Sequence, residues 1–205
     1  MTWREARRYN MALTINHQTN DISATSGSVT IDGASAGGGA WNLINTTTVT
    51  SAVSSVDFTS LSGYEHYVAV IDDVYLATDG ADLVINTLNS GSPDTTSQRY
   101  ELYYGNNGTW TLSGSTSNPY VMVLWDLSPS AVSRSSCVVN IGNLHTVTRT
   151  VYYATGTSPI NTSFRYGAQI SSGTNYINAA RDGLRFSANS GNISGGTFAL
   201  YGISN

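Results

Sequence analysis

The sequence predicts an all-β chain, an antiparallel sandwich preceded by an extended N-terminal arm. Three observations predict it. Glutamate, glutamine and lysine, the unbranched polar residues that clothe exposed helix faces, supply only six of the 205 residues, and lysine is absent. Serine, threonine, asparagine and glycine supply 91, the residues of turns and of pleated, hydroxyl-rich surfaces. Turn signals recur about every 8–15 residues between apolar runs, as an antiparallel sandwich or barrel requires.

The elements follow in order. Residues 2–9 read as one helical turn, with Thr2 as cap and Glu5 closing a capping box. The turn is too short to stand alone. Residues 12–17 and 28–32 read as short strands around a polar bend from Gln18 to Gly27, and Gly33 to Gly39 as a flexible joint. Residues 1–38 therefore form an arm too small to bury a core, of the kind that orders against a partner or symmetry mates, and 39–205 form the sandwich. Trp3, Arg4, Arg7 and Arg8, with Leu13 and Ile15, are the arm's candidate partner-binding residues, suited to an acidic or aromatic groove. Met11 is a second candidate start.

In the sandwich, strands are expected at 41–50, 53–59, 64–76, 82–88, 98–104, 109–113, 119–126, 136–141, 147–153, 162–170, 182–187 and 197–203. Tyr67 to Ile71 is apolar at every position, as in a central strand covered on both sides. Gly105-Asn-Asn-Gly108 reads as a hairpin turn. The four prolines sit at or beside expected loops, where a missing N–H costs the sheet least.

Charge narrows the partners. Charged residues make up 11%, against roughly 25% in ordinary soluble domains. The first eight residues carry +2 and the rest −6, so the body has no electrostatic reason to bind nucleic acid. No apolar stretch approaches the roughly 20 residues that cross a bilayer as a helix, and no apolar h-region follows the N-terminus. Cys137, the single cysteine, reads as a buried apolar residue. Four Asn-X-Ser/Thr sequons occur, as chance provides in a chain this rich in those residues.

Three groups of residues could carry chemistry. Asp72, Asp73, Asp79 and Asp82 offer carboxylates, but their spacing is not that of an EF-hand loop. Asp79-Gly80 is also ordinary turn chemistry, which leaves Asp79 and Asp82 a weak cation candidate. Adjacent Asp72 and Asp73 should point to opposite faces of a strand. His17, His66 and His145 have no metal-ligand spacing, and no G-x-S-x-G marks a nucleophile. The third group is aromatic: Tyr103, Tyr104, Trp110, Tyr152 and Tyr153 sit among Asn, Ser and Thr, the palette of recognition surfaces and equally of core rims and subunit interfaces. In each Tyr-Tyr doublet one ring must face in and the other out. No catalytic residue, metal or cofactor is expected.

Several segments together resemble a recurring pattern: Trp41-Asn-Leu-Ile44; Val56-Asp-Phe-Thr-Ser-Leu-Ser-Gly-Tyr64; Tyr67-Val-Ala-Val-Ile-Asp-Asp-Val74; Asp79-Gly-Ala-Asp-Leu83; and Gly195-Gly-Thr-Phe-Ala-Leu-Tyr-Gly-Ile203. Over residues 41–203 the chain resembles small virion proteins of tailed bacteriophages, of tail-fibre, head-fibre or decoration type. Leu13 to Ile22 is similar to the virion-attaching N-termini of some of them. The resemblance implies a jelly-roll-like sandwich, often trimeric, assembled in the host bacterial cytoplasm and carried on the virion, with no catalytic residues. The expected function is a fibre or receptor-binding module anchored to tail or capsid proteins by its arm, meeting a host glycan or receptor. A capsid decoration protein and a free carbohydrate-binding module are the alternatives.

Overall fold

A computed structural model describes residues 13–16, 21–24, 30–31, 34–35, 41–106, 109–160 and 165–203. The chain divides into two compact units, Met1–Gly39 and Ala40–Asn205. In the first, β1 (Leu13–Asn16) pairs antiparallel with β2 (Asp21–Ala24), and β3 (Thr30–Ile31) with β4 (Ala34–Ser35). β1 and β3 fall on the two expected strands. β2 and β4 fall where a polar bend and a glycine joint were expected, because backbone pairing across a short hairpin needs no apolar sequence. The expected helical turn, with Trp3, Arg4, Arg7 and Arg8, lies outside the described residues, and so does His17.

The second unit contains β5 (Trp41–Val49), β6 (Ser55–Phe58), β7 (His66–Leu76), β8 (Ala81–Asn89), β9 (Ser92–Pro93), β10 (Gln98–Asn106), β11 (Thr109–Asn118), β12 (Val121–Leu127), β13 (Ser135–Gly142), β14 (Val151–Ile160), β15 (Arg165–Asn175), β16 (Gly183–Ala188) and β17 (Ile193–Ile203). No helix occurs among the described residues. A wide sheet runs β11-β10-β15-β14-β13-β7-β17-β5, and a narrow one β12-β8-β16-β6 with β9 beside β8. Every pairing is antiparallel.

The order in which the chain changes sheets identifies the winding. β6, β8, β12 and β16 belong to the narrow sheet, and β7, the β10–β11 hairpin and β13–β15 to the wide one. This is a jelly roll whose penultimate strand has become a three-strand meander, β13-β14-β15. The β17–β5 pair widens the sheet further, on the free side of β7.

Between the sheets, period-2 alternation delivers one continuous core. Tyr67, Ala69 and Ile71 of β7, Val139 and Ile141 of β13, and Phe198 and Leu200 of β17 meet Leu83 and Ile85 of β8, Leu184 and Phe186 of β16, and Phe58 of β6. Phe186 ties the layers together: its ring lies edge-on to Phe58 at 6.2 Å and tilted on Phe198 at 5.7 Å. Gly173 allows close approach of the sheets, because a Cβ there would meet Val121 Cγ1 at 2.5 Å. Cys137 is buried in the same core, which pushes its thiol pKa far up and leaves it inert.

The two sheets differ on their outer sides. β8 is buried on both faces, since loops cover its outer residues: Asn86 Nδ2 donates to the carbonyls of Asp94 and Pro119, both at 2.6 Å. Among the described residues of this unit, the outer side of the wide sheet has no such cover. In the β7 run expected to be covered on both sides, Tyr67, Val68, Ala69 and Ile71 are buried and Val70 is half-buried. The alternation expected at Asp72 and Asp73 breaks. Asp73 adopts φ 56° at a register shift against β13, so both carboxylates are exposed. Asp72 accepts a hydrogen bond from Ser136 Oγ, and Asp73 pairs with Arg134 at 3.0 Å.

Candidate functional site

The open face of the wide sheet is ordered by strand register. One row runs Gly114, Glu101, Ser172, Tyr153, Asn140, Val68, Tyr201 and Leu43 across all eight strands. Large residues stand above smaller ones along such rows and leave open furrows between them. One, of about 770 Å³, lies between Val151 and Arg99, with Ser172 and Thr174 on its floor and Ser115 and Thr116 at its side. A second, of about 510 Å³, has Trp41 and Ile203 on one side and Tyr153 on the other, over Val68, Asn140 and His66. A third, of about 450 Å³, runs over Val70, Val138 and Thr155.

Rings stand out on this face, and four of them are held in two pairs. Tyr153 is 48% exposed and Trp41 52%. Trp41 tilts against Tyr201 at 5.7 Å, and Tyr103 stacks on Trp110 at 5.8 Å and 28°. Each ring pair is pre-ordered by its neighbour, so a ligand laid on it costs little side-chain entropy. Hydroxyls and amides fill most of the intervals, with Arg99 and Glu101 as charges beside the first furrow. Flat apolar ring faces interspersed with neutral donors and acceptors suit a partner with both apolar patches and hydroxyls.

The tyrosine doublets divide as alternation demands. Tyr103 and Tyr153 face out. Tyr104 packs against the core and stacks on Trp125 at 4.2 Å, and Tyr152 is 4% exposed. Tyr104 and Tyr152 are thus corrected from surface candidates to structural residues. Burial pushes the Tyr152 hydroxyl well above the usual tyrosine range, with Thr87, Asp94 and Arg181 as its polar neighbours.

Those neighbours form a buried polar knot beneath one end of the open face. The Arg181 guanidinium grips Asp94 with Nε on Oδ2 and Nη2 on Oδ1, the latter at 3.2 Å. Asp94 Oδ2 also accepts from Thr87 Oγ1 at 2.7 Å and Asn175 Nδ2 at 2.8 Å. Burial alone would raise the Asp94 pKa. The donors of Arg181, Thr87 and Asn175, with the Arg181 charge, outweigh burial and hold it below the carboxylate range.

The remaining candidates are structurally engaged. Asp82 is buried and accepts from Asn189 Nδ2 at 2.6 Å and the Asp126 N–H at 3.0 Å. Burial pushes its pKa up despite the Asp126 N–H, a poor setting for a cation, and Asp79 is exposed. Among the described residues no three His, Cys, Asp or Glu side chains meet as a metal site. His145 Nδ1 lies 2.8 Å from the Arg181 carbonyl, which can only accept, so Nδ1 carries the proton and Nε2 accepts the Tyr67 hydroxyl at 2.5 Å. Burial pushes that hydroxyl's pKa up to about 12. Both ring nitrogens of His145 are occupied, so it works as a loop brace.

Trp41, Tyr201 and His66 belong to the site, although sequence reasoning did not place them there. Trp41 and Tyr201 meet only because the first and last strands of the body pair, with Trp41 opposite Ile203 and Leu43 opposite Tyr201. No local motif carries that signal. Comparison with protein-family models, with curated protein sequences and with solved structures gives no match for this chain.

Proposed function

We propose that this chain is a non-enzymatic recognition module of a tailed-bacteriophage virion, a tail or head fibre or receptor-binding module anchored by its arm. Its contact surface is the open face of the wide sheet, and its target is a saccharide of the host surface. The observation that carries the reading is the set of rings on one sheet face, the braced pairs Trp41–Tyr201 and Tyr103–Trp110 with the exposed Tyr153, above furrows lined with hydrogen-bonding groups. Display in many copies would turn weak single contacts into firm adhesion. The link to virions rests on the segments from Trp41 to Ile203 quoted above.

The purified chain is expected to bind host cells and to slow infection. An aromatic contact contributes about 0.5–1.5 kcal/mol beyond its buried area. Joint replacement Trp41→Ala and Tyr153→Ala should therefore weaken cell binding roughly ten-fold or more with the melting temperature nearly unchanged. Full binding by the double variant would remove this face from the function.

A decoration role is the second reading, favoured by the sheet edges. The wide sheet overhangs the narrow one, so β5 and β11 are exposed on both faces, with Leu43 at 59% and Leu112 at 61% exposure. Uncovered apolar edge strands are templates for association. Self-association or docking on a neighbouring capsid subunit through them is expected to fall when Leu43 and Leu112 are replaced by lysine, as read by sedimentation. Capsids lacking the protein would then lose heat resistance. Unchanged sedimentation and unchanged capsids would discard this reading.

A further inference from the structure

Five of the nine arginines have described side chains, and three of these are matched to carboxylates: Arg134 to Asp73, Arg181 to Asp94 and Arg185 to Asp57. Arg99 and Arg149 are not matched among the described residues. Both are exposed, and both guanidinium carbons sit over the ring of Tyr176, Arg99 at 4.0 Å and Arg149 at 3.4 Å from its centroid. Two cations this close repel each other, a cost that the Tyr176 ring offsets in part and that an anion bound to both would relieve.

The geometry leaves room for that anion. A guanidinium stacked by its face keeps its N–H donors at the rim, where a planar carboxylate is recognised in bidentate fashion. Tyr176 is a fixed support, because its N–H donates to the Ser97 carbonyl at 3.1 Å and the preceding Asn175 is locked into the buried Asp94 knot. Arg99 forms one end of the 770 Å³ furrow, whose floor and side present the hydroxyls of Ser172, Thr174, Ser115 and Thr116. Val151, 45% exposed, forms the opposite wall. Glu101 lines the same furrow and faces the same side of β10 as Arg99, so negative charge is favoured at the arginine end and opposed further along.

We infer that the Arg99–Tyr176–Arg149 stack is an anion clamp at the end of this furrow, and that the saccharide taken by the open face is an acidic one. Its carboxylate lies on the two guanidinium rims, and its ring hydroxyls lie along the Ser172–Thr174 floor. This rests on the reading of the open face as a saccharide-recognition surface and adds the charge of the ligand to it.

The test uses the full chain with two probes, oligogalacturonate and the same oligomer as its methyl ester, with poly-glutamate as a third. Acid-form binding about ten-fold or more tighter than ester-form binding is expected, the size of a charge-assisted hydrogen bond. The preference should shrink as salt rises. Joint replacement Arg99→Met and Arg149→Met should erase the preference, and Glu101→Gln should strengthen it with no demand on folding. Equal binding of acid and ester, or poly-glutamate binding as well as the oligosaccharide, overturns the inference. No binding of either sugar, alongside host-cell adhesion that still depends on Trp41 and Tyr153, overturns the clamp and leaves the recognition face standing.

Discussion

Replacing Asp94 by alanine should lower the stability of the sandwich by about 3–5 kcal/mol, the cost of stranding one member of a buried ion pair. The side chain of Arg181 is only 6% exposed, so without its partner it keeps its charge and loses its compensation. Asn175 Nδ2 and Thr87 Oγ1 lose an acceptor in the same step, although each keeps the other. Domains of this kind hold about 5–15 kcal/mol in total, so the urea midpoint should fall by a large fraction. The knot joins the segment after β9, strand β8, the end of β15 and the loop before β16. A midpoint within error of wild type would show that the knot contributes nothing net.

Acid should act on the same pair. The folded-state pKa of Asp94 lies below its unfolded value, about 3.9. The stabilisation it provides is complete above that unfolded value and drains away as pH falls through the folded one. Asp57 behaves alike: Arg185 holds its carboxyl low against the opposing effect of burial. Wild type should therefore lose stability steeply below about pH 4, and Asp94→Ala should show a shallower acid limb with the Asp57 contribution still present.

Phe186→Ala should cost about 3–5 kcal/mol by the same assay. The ring is fully buried, and it is the member of the core that touches aromatic rings in both sheets. Rigid β layers on either side cannot collapse into the space it leaves, so the cavity persists. Phe186→Leu keeps most of the volume and should cost distinctly less. Equal costs for the two variants would mean that the layers do close over the gap.

Much of this architecture is legible in the residues, and the failures have causes. β7 is legible because Tyr67 to Ile71 is an unbroken apolar run of strand length in a chain poor in helix-forming residues. The far half of β11, Gly114 to Asn118, reads as loop because an overhanging edge strand buries neither face and shows no alternation. Val147 to Thr150 alternates like a strand, yet it lies in the loop that His145 pins to Tyr67 and to the Arg181 carbonyl; β14 starts at Val151 and runs on past Pro159. The tyrosine doublets foretold that one ring of each pair would be outward, but identical neighbours cannot say which. Partners far apart in sequence, Trp41 with Tyr201 or Asp94 with Arg181, become visible only once the sheets are assembled.

The pairing of β5 with β17 has a mechanical consequence. Trp41 faces Ile203 at one end of this antiparallel ladder, so the body's first and last strands meet at a single corner. Tension applied between those two points would open the ladder one rung at a time, like a zip, instead of shearing all its rungs together. The module would thus yield at low force if pulled between its two ends. A circular permutant that joins them by a short linker and opens elsewhere should unfold only at higher load.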